Sequence, residues 1–234
     1  MEITWLGHAA FLIKGFNTIV VDPFLNDNPS AEITPDNVQC DIVCVTHGHY
    51  DHVGDAVSIS KRNKAPILSI VELSEFFDKA SCQTVGFNIG GSVKIKDTTI
   101  SMVTAVHSSG ADADGLEGAS GAAVGYIIES GKTVYHAGDT ALFGDMALIG
   151  ELYKIDVALL PIGGFFTMDV HHAARAVELL KPKIAIPMHY NTWGPIQTDP
   201  NVFKNEVEKR CSTQVRILDP GQSLTVASGG RRDA

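Results

Sequence analysis

The chain has 234 residues, of which 44% are hydrophobic and 19% are charged, and its formal net charge is −9. This composition is typical of a globular protein and excludes a disordered chain. The acidic balance argues against a sequence-independent nucleic-acid binder, which carries a basic surface. No apolar run reaches the ~18 residues of a membrane span, and the first residues lack the pattern of a secretory signal. We therefore expect a cytoplasmic protein without a membrane partner.

Short runs rich in β-branched and aromatic residues, bounded by turn residues, predict strands. In chain order they cover residues 3–6, 11–13, 18–22, 41–46, 65–70, 82–86, 92–96, 99–106, 122–129, 132–136, 157–161 and 184–187, with two closing strands after residue 210. Apolar residues at helical spacing predict helices, which cover residues 55–63, 73–79, 142–152, 169–181 and 202–210.

Two blocks of strands, each followed by alternating strands and helices, predict an α/β protein in which two mixed sheets lie between layers of helices. No linker or low-complexity segment divides the chain, so we expect one domain over residues 1–234. The glycine-rich stretch 108–121 is predicted to be a long loop, and long loops in compact domains are usually functional or mobile. The basic pair Arg231 and Arg232 fits a frayed terminus.

Three histidines and an aspartate follow a buried strand directly. They form the pattern H-x-H-x-D-H, from His47 through His49 and Asp51 to His52. Neutral imidazole and carboxylate are the ligands that zinc, iron and manganese accept in proteins. One cation would be crowded by so many closely spaced ligands, so two adjacent cations are the more natural interpretation. A solvated polar loop gives no reason for this pattern at the end of a buried strand.

Three further candidate ligands also follow the ends of predicted strands. His107, Asp139 and His189 each lie at or just beyond the end of a predicted strand. Each alone would more often be a surface residue or a hydrogen-bonded core residue than a metal ligand. With the H-x-H-x-D-H segment they make five histidines and two aspartates at strand ends, which suffices for two cations with an open coordination position.

Taken in order, these segments resemble the five-motif pattern of the metallo-β-lactamase superfamily. The segment Val20-Val21-Asp22-Pro23 is similar to the first motif, whose aspartate braces the metal site. The resemblance implies an αββα four-layer sandwich with metals at the sheet edges. It also implies that one cation takes His47, His49 and His107. The other cation would take Asp51, His52 and His189, with Asp139 bridging the two.

Two other stretches narrow the resemblance. Residues 5–11 (WLGHAAF) and 167–172 (TMDVHH) resemble a branch of small metal-dependent hydrolases related to ascorbate-6-phosphate lactonase. We expect His8 and one of the pair His171 and His172 to reach the rim of the site, where they would bind substrate or support ligands. The pair lies in the first turn of a helix, whose amino terminus favours anions. Asp22 and His136 complete the predicted supporting residues, although His136 can equally donate a purely structural hydrogen bond.

The resemblance predicts hydrolysis of a small, anionic ester, lactone or phosphoester by a water that two divalent cations activate. Zinc is the first candidate, with manganese and iron as alternatives, and Asp51 is the candidate catalytic residue that steers the nucleophile or passes a proton to the leaving group. The alternatives are an iron-dependent oxidoreductase of the same fold (persulfide dioxygenase or diiron type), a nuclease or phosphodiesterase, and a non-catalytic binding protein. The sequence leaves the substrate and the oligomeric state open, including assembly as a homo-oligomer.

Overall fold

The computed structural model describes residues 1–110 and 121–227. The predicted loop 108–121 therefore lies largely, and the pair Arg231 and Arg232 entirely, outside the described residues. In the described part the strands are β1 (Glu2–Gly7), β2 (Ala10–Lys14), β3 (Thr18–Val21), β4 (Ile42–Cys44), β5 (Ile67–Ile70), β6 (Thr84–Phe87), β7 (Ser92–Ile95), β8 (Thr98–Thr104), β9 (Val124–Glu129), β10 (Thr133–His136), β11 (Val157–Pro161), β12 (Ile184–Met188), β13 (Gln214–Val215) and β14 (Ser223–Thr225). The α-helices are α1 (Tyr50–Val53), α2 (Ala56–Asn63), α3 (Val71–Lys79), α4 (Met146–Leu152), α5 (Val170–Leu180) and α6 (Pro200–Arg210).

The strands form two seven-stranded mixed sheets. The first has the order β14-β1-β2-β3-β4-β5-β6, and the second has the order β13-β12-β11-β10-β9-β8-β7. Helices α2 and α3 pack on strands of the first sheet, whereas α5 and α6 pack on strands of the second and α4 packs on α5. The predicted αββα sandwich of two mixed sheets flanked by helices is confirmed.

The core lies where the two sheets face each other. Its largest fully buried side chains include Phe11 of β2 and both Tyr126 and Tyr135 of the second sheet. The hydroxyl of Tyr126 donates a hydrogen bond to the carbonyl oxygen of Val45, at 2.8 Å, beyond the end of β4. A buried tyrosine needs such a partner, and here the partner belongs to the opposite sheet, so the bond ties the two sheets together beside the histidine-rich loop.

Most element boundaries lie within a few residues of those predicted, and two differences have clear causes. Helix α4 begins at Met146 rather than at residue 142, because Gly144 disfavours a helix interior. Helix α1 was not predicted, because its four residues are too few to show a helical period. None of the helices in the described part of the chain has the length and hydrophobicity needed to cross a bilayer.

Candidate metal centre

The seven predicted ligands converge at one edge of the sandwich. His47 and His49 lie in the loop after β4, and Asp51 and His52 lie in α1. The other three follow β8, β10 and β12 of the second sheet, in the order His107, Asp139 and His189. Strands β10, β11 and β12 are parallel, and β8 runs in the same direction because β9 is antiparallel to both β8 and β10. Their carboxyl ends therefore meet the histidine-rich loop of the first sheet.

One group of three histidines could hold a cation. His47, His49 and His107 each offer a ring nitrogen, and these atoms lie within 4.8 Å of one another. The Nε2 of His47 is 2.9 Å from the Nδ1 of His49. In a tetrahedral site with zinc–nitrogen bonds of about 2.0–2.1 Å, neighbouring ligand nitrogens lie roughly 3 Å apart, as those of His47 and His49 do. This group therefore suits one cation.

A second group surrounds Asp139. The Oδ1 of Asp139 is 3.4 Å from the Nε2 of His52, and its Oδ2 is 2.9 Å from the Nε2 of His189. Asp51 lies on the other side, its Oδ2 3.7 Å from the same nitrogens of His52 and His189. The Oδ2 of Asp139 also lies 3.6 Å from the Nε2 of His107. The carboxylate of Asp139 thus faces both groups, as a bridging ligand would.

Unpaired buried atoms test whether these residues suit a metal. The Nε2 atoms of His52 and His189 and the Oδ1 of Asp139 are buried and make no hydrogen bond of good geometry within the described residues. Buried polar atoms are rarely left unpaired, and a bound ion is one recognised explanation. The two nitrogens each lie 3.7 Å from the Oδ2 of Asp51, and that of His52 lies 3.4 Å from the Oδ1 of Asp139. The residues present therefore fit a divalent metal.

The charges within the cluster are strongly coupled. Burial would raise the pKa of Asp139, but His189 and His52 lower it well below its usual range. Burial opposes the charged form of His52 too, yet Asp139, Asp51 and Asp22 raise the pKa of this imidazole well above its ordinary value. For His47, burial and then His52 lower the pKa well below its usual value. Asp139 is thus held ionised, and His47 is held neutral, the state in which imidazole binds metal.

Asp22 positions two of the predicted ligands through hydrogen bonds. Its carboxylate accepts hydrogen bonds from the backbone N–H of Thr46 at 2.8 Å, from the Thr46 hydroxyl at 2.6 Å and from the Nδ1 of His52 at 2.7 Å. Because the Thr46 hydroxyl donates to Asp22, it can accept from the Nδ1 of His47 at 3.0 Å. With their protons on Nδ1, both imidazoles would offer Nε2 to a bound cation.

A cavity of about 520 Å³ opens directly onto this cluster, a volume in the range of small-molecule sites. Five of the predicted ligands line the cavity, namely His49, Asp51, His107, Asp139 and His189. The other described lining residues are Tyr50, Ser108, Phe166, Trp193 and Pro195. A small molecule that enters the cavity can therefore reach atoms of both ligand groups.

A family model described as a β-lactamase superfamily domain matches residues 2–189. A protein of Methanosarcina mazei is 45% identical over 225 residues, covering 96% of this chain and 98% of its own, and one of Methanopyrus kandleri is 50% identical over 228 residues, covering 95% and 99%. Both are described as metal-dependent hydrolases. The chain belongs to the metallo-β-lactamase superfamily.

A solved structure of a metallo hydrolase from Ignicoccus hospitalis superposes with a TM-score of 0.89 at 41% identity, covering 97% of this chain and 98% of that one. Together with the relatives, this structure identifies the metallo-β-lactamase superfamily member as a metal-dependent hydrolase. The predicted class of enzyme is therefore confirmed, and so is the family.

In this metallo-β-lactamase superfamily member, His8 lies against Asp51. It occupies the turn between β1 and β2, is fully buried, and its Nε2 is 2.9 Å from the Oδ2 of Asp51. Its Nδ1 is 2.7 Å from the hydroxyl of Thr192. Burial and the neighbouring His189 lower the pKa of His8 to about 4, so the ring is neutral near pH 7. Since an ionised carboxylate can only accept, Nε2 donates to Asp51 and Nδ1 accepts from Thr192.

Three residues at the site have a strained backbone. His8, Asp22 and His189 have φ values of 53°, 46° and 55°, in the left-handed region that non-glycine residues seldom adopt. The backbone N–H of His189 donates to the carbonyl oxygen of His8 at 3.0 Å, so the two strained turns hold each other. Strained residues of this kind persist where the surrounding structure over-determines them, commonly at functional sites.

His136 supports the site through the backbone. Its Nδ1 accepts from the N–H of Gly138 at 3.1 Å, and its Nε2 donates to the carbonyl oxygen of Ala9 at 2.9 Å. Gly138 has a φ of 60°, and a Cβ there would lie 2.5 Å from the carbonyl oxygen of Val124. His136 thus fixes the backbone beside Asp139 and the turn beside His8, which is the structural hydrogen bonding considered from the sequence.

The histidine pair at the start of α5 is not brought to the cavity. His171 and His172 are exposed, and their Nδ1 atoms lie 3.6 Å from Glu206 and 3.5 Å from Asp169. Neither lines the cavity beside the ligand groups. The expectation that one of them reaches the rim is therefore not met, because the first turn of α5 faces α6 and solvent rather than the strand ends.

Several contributors escaped the sequence analysis. Thr46 and Thr192 were not singled out, although each is next to or near a predicted ligand, and Trp193 and Tyr50 were not assigned to the cavity. Thr46 could have been found from its place between a buried strand and His47. The roles of Thr192 and Trp193 depend on contacts with His8, 184 residues away in sequence from Thr192, which local patterns do not reveal.

Proposed function

We propose that the protein hydrolyses a small ester, lactone or phosphoester at a centre of two divalent cations. The observation that carries the proposal is the arrangement of the ligands around Asp139, whose carboxylate oxygens lie within 3.6 Å of ring nitrogens of His52, His107 and His189 at the cavity. His47, His49 and His107 would hold one cation. Asp51, His52 and His189 would hold the other. Zinc is the first candidate, with manganese or iron as alternatives.

When bound, the cations would lower the pKa of a coordinated water toward neutrality and stabilise negative charge on the reacting group. Asp51 lies in the cavity wall, where its carboxylate can orient the attacking water or pass a proton on to the leaving group. Burial opposes the charged form of Asp51, yet His52, His189 and His8 hold its pKa well below the usual range. The hydrogen bond from His8 fixes the direction of that carboxylate.

The residues also define how the reacting group would sit. Asp139 is buried, whereas Asp51 and His107 are each partly open to the cavity. A substrate would therefore approach over Asp51 and His107, with its reacting group toward the proposed cation positions. The relatives at 45–50% identity are described as metal-dependent hydrolases, which favours hydrolysis over the iron-dependent oxidoreductase that the sequence left open. A cytoplasmic location and a small-molecule substrate complete the proposal.

The test is metal analysis of the purified protein followed by chelation and reconstitution. We expect close to two equivalents of divalent metal per chain, loss of hydrolysis on chelation, and recovery with zinc, manganese or iron. The same samples are assayed on phosphodiesters, lactones and thioesters and for oxygen consumption. Hydrolysis that persists in metal-free protein would overturn the proposal, and oxygen consumption without hydrolysis would support the oxidoreductase instead.

A further inference from the structure

Part of the cavity wall is formed by three aromatic side chains and a proline. Tyr50, Phe166, Trp193 and Pro195 contribute this wall, whereas the other described lining residues are the ligands and Ser108. Phe166 is 53% exposed and Tyr50 is 46% exposed, large values for aromatic side chains at the mouth of a site. Aromatic rings in a cavity provide apolar contact area at small entropic cost.

The rings are held in place by neighbours. Trp193 lies 4.8 Å from the ring of His8, 6.2 Å from that of Tyr50 and 6.1 Å from that of Phe24, measured between centroids. The backbone carbonyl of Trp193 accepts from the N–H of Ile196 at 3.2 Å. Trp193 is thus fixed by the same residue, His8, that positions Asp51, so its ring stands at a set place beside the reacting group.

In the described part of the chain, the wall formed by Tyr50, Phe166, Trp193 and Pro195 carries no positive charge. Among the described residues that line the cavity, none is a lysine or an arginine. An anionic group on a substrate could therefore be neutralised at the metal position but has no counter-charge along the wall. Burying an unpaired charge is costly, whereas an apolar ring loses nothing by leaving water and gains contact with the aromatic side chains.

We infer that the part of the substrate remote from the bond being hydrolysed is an uncharged aromatic or similarly flat apolar group, bound against Trp193, Phe166 and Tyr50. The inference rests on the proposed function and names its substrate class. It differs from the sequence-based expectation of an anionic substrate by confining negative charge to the group at the metals.

Three phosphonates with the same metal-binding head test the inference. Isothermal titration calorimetry on the metal-loaded protein measures binding of phenylphosphonate, methylphosphonate and 2-carboxyethylphosphonate. We expect phenylphosphonate to bind about tenfold or more tightly than methylphosphonate, because the phenyl ring buries more apolar area and adds contacts with aromatic rings. The extra carboxylate should give no gain over the methyl group.

Variants of the wall then locate the preference. Trp193→Ala and Phe166→Ala should each reduce the phenyl-to-methyl ratio to about threefold or less, with metal content unchanged, and Trp193→Phe should restore most of it. Phe166 is exposed, so its variant tests the wall even if Trp193→Ala folds poorly. Phe16→Ala is the matched control, since Phe16 is 65% exposed and does not line the cavity; its ratio should equal that of the wild type.

Tryptophan fluorescence gives a second measurement. The chain has two tryptophans, and Trp5 is buried, so phenylphosphonate should change the emission of the wild type and not that of Trp193→Phe. Equal binding of the phenyl and methyl compounds, binding of neither, or an unchanged ratio in both alanine variants would overturn the inference. If the protein prefers phenylphosphonate but hydrolyses no ester, the inference stands and the proposed function fails. If the protein shows metal-dependent hydrolysis but no preference for the phenyl compound, the proposed function stands and the inference fails.

Discussion

The Nε2 of His8 donates a hydrogen bond to the Oδ2 of Asp51 across 2.9 Å, linking a turn near the amino terminus to the proposed catalytic carboxylate. The hydroxyl of Thr192 sets the tautomer of His8 from the other side, at 2.7 Å. A ligand or catalytic carboxylate held by such an outer partner has a fixed direction. His8 therefore links the β1–β2 turn to helix α1 through Asp51 and to the loop after β12 through Thr192.

Loss of His8 is expected to lower kcat/KM by about 10–100-fold, the usual effect of removing an outer partner of a metal site. His8→Asn should retain more activity than His8→Ala, because asparagine tolerates the left-handed backbone and its side-chain amide can still donate. Steady-state kinetics with metal analysis checks this.

Thr192→Val removes the hydroxyl while leaving the ring of His8 in place, so its effect should be smaller than that of His8→Ala and should show as a shift in the pH dependence of kcat. Wild-type kinetics and full metal content in both His8 variants would show that His8 has no positioning role. Loss of one full equivalent of metal in His8→Asn would instead make His8 a ligand.

Asp51→Asn separates metal binding from proton transfer. Asparagine keeps an oxygen that can bind a cation but cannot accept a proton, and proton transfer by a positioned side chain typically contributes about 10²–10⁴-fold to the rate. We expect kcat to fall by about 100-fold or more while much of the metal remains. A variant that keeps both the metal and the wild-type kcat would exclude Asp51 from the chemistry.

Asp22→Asn tests the brace beneath the ligands. The change removes the negative charge that accepts from Thr46 and His52, and asparagine tolerates the φ of 46° at this position. Hydrogen bonds to charged groups contribute about 1.5–3 kcal/mol, so the free energy of unfolding should fall by about that amount in a urea titration, together with metal affinity.

Asp55→Asn is the matched control for this change. Asp55 also accepts backbone hydrogen bonds, from Leu25 and Asn26 at 3.0 Å, and within residues 1–110 and 121–227 none of its hydrogen bonds reaches a histidine. It should lose stability without losing metal. Equal metal loss in the two variants would mean that Asp22 acts only on the stability of the chain.

The ligand cluster could be predicted because its signals are local. The H-x-H-x-D-H segment is contiguous, and each of His107, Asp139 and His189 marks the end of a strand whose apolar run is visible in the sequence. The carboxyl ends of strands that run in the same direction meet at one edge, so the fold class brings those residues together without further information.

The supporting and cavity residues depend on packing that no local pattern encodes. His8 was placed near the site from its position after Gly7 in an apolar segment, whereas its partners Asp51 and Thr192 follow from the meeting of three distant segments. His171 and His172 were also placed near the site from their local sequence position, but in the structure both are exposed to solvent. The direction in which α5 leaves the site is set by its contacts with α4 and α6, which the helical period leaves undetermined.

Two histidine substitutions that differ in burial provide the sharpest comparison of ligand and surface roles. His189 is buried, and its Nε2 lies 2.9 Å from the Oδ2 of Asp139, whereas His171 is exposed and lies 3.6 Å from Glu206. His189→Ala should lose metal and reduce kcat/KM by more than the roughly 100-fold upper range for an outer partner. His171→Ala should change the free energy of unfolding by no more than about 0.5 kcal/mol and leave metal and kinetics unchanged.

Native mass spectrometry of both variants counts the bound cations directly, and thermal unfolding with and without chelator measures their effect on stability. A ligand that binds only the folded state stabilises it by about 2.7 kcal/mol at a concentration 100 times its Kd, so chelation should lower the Tm of His171→Ala as much as that of the wild type. In His189→Ala the same treatment should lower the Tm less, because less metal remains to be removed. Full metal occupancy in His189→Ala would show that the second ligand group is wrongly assigned.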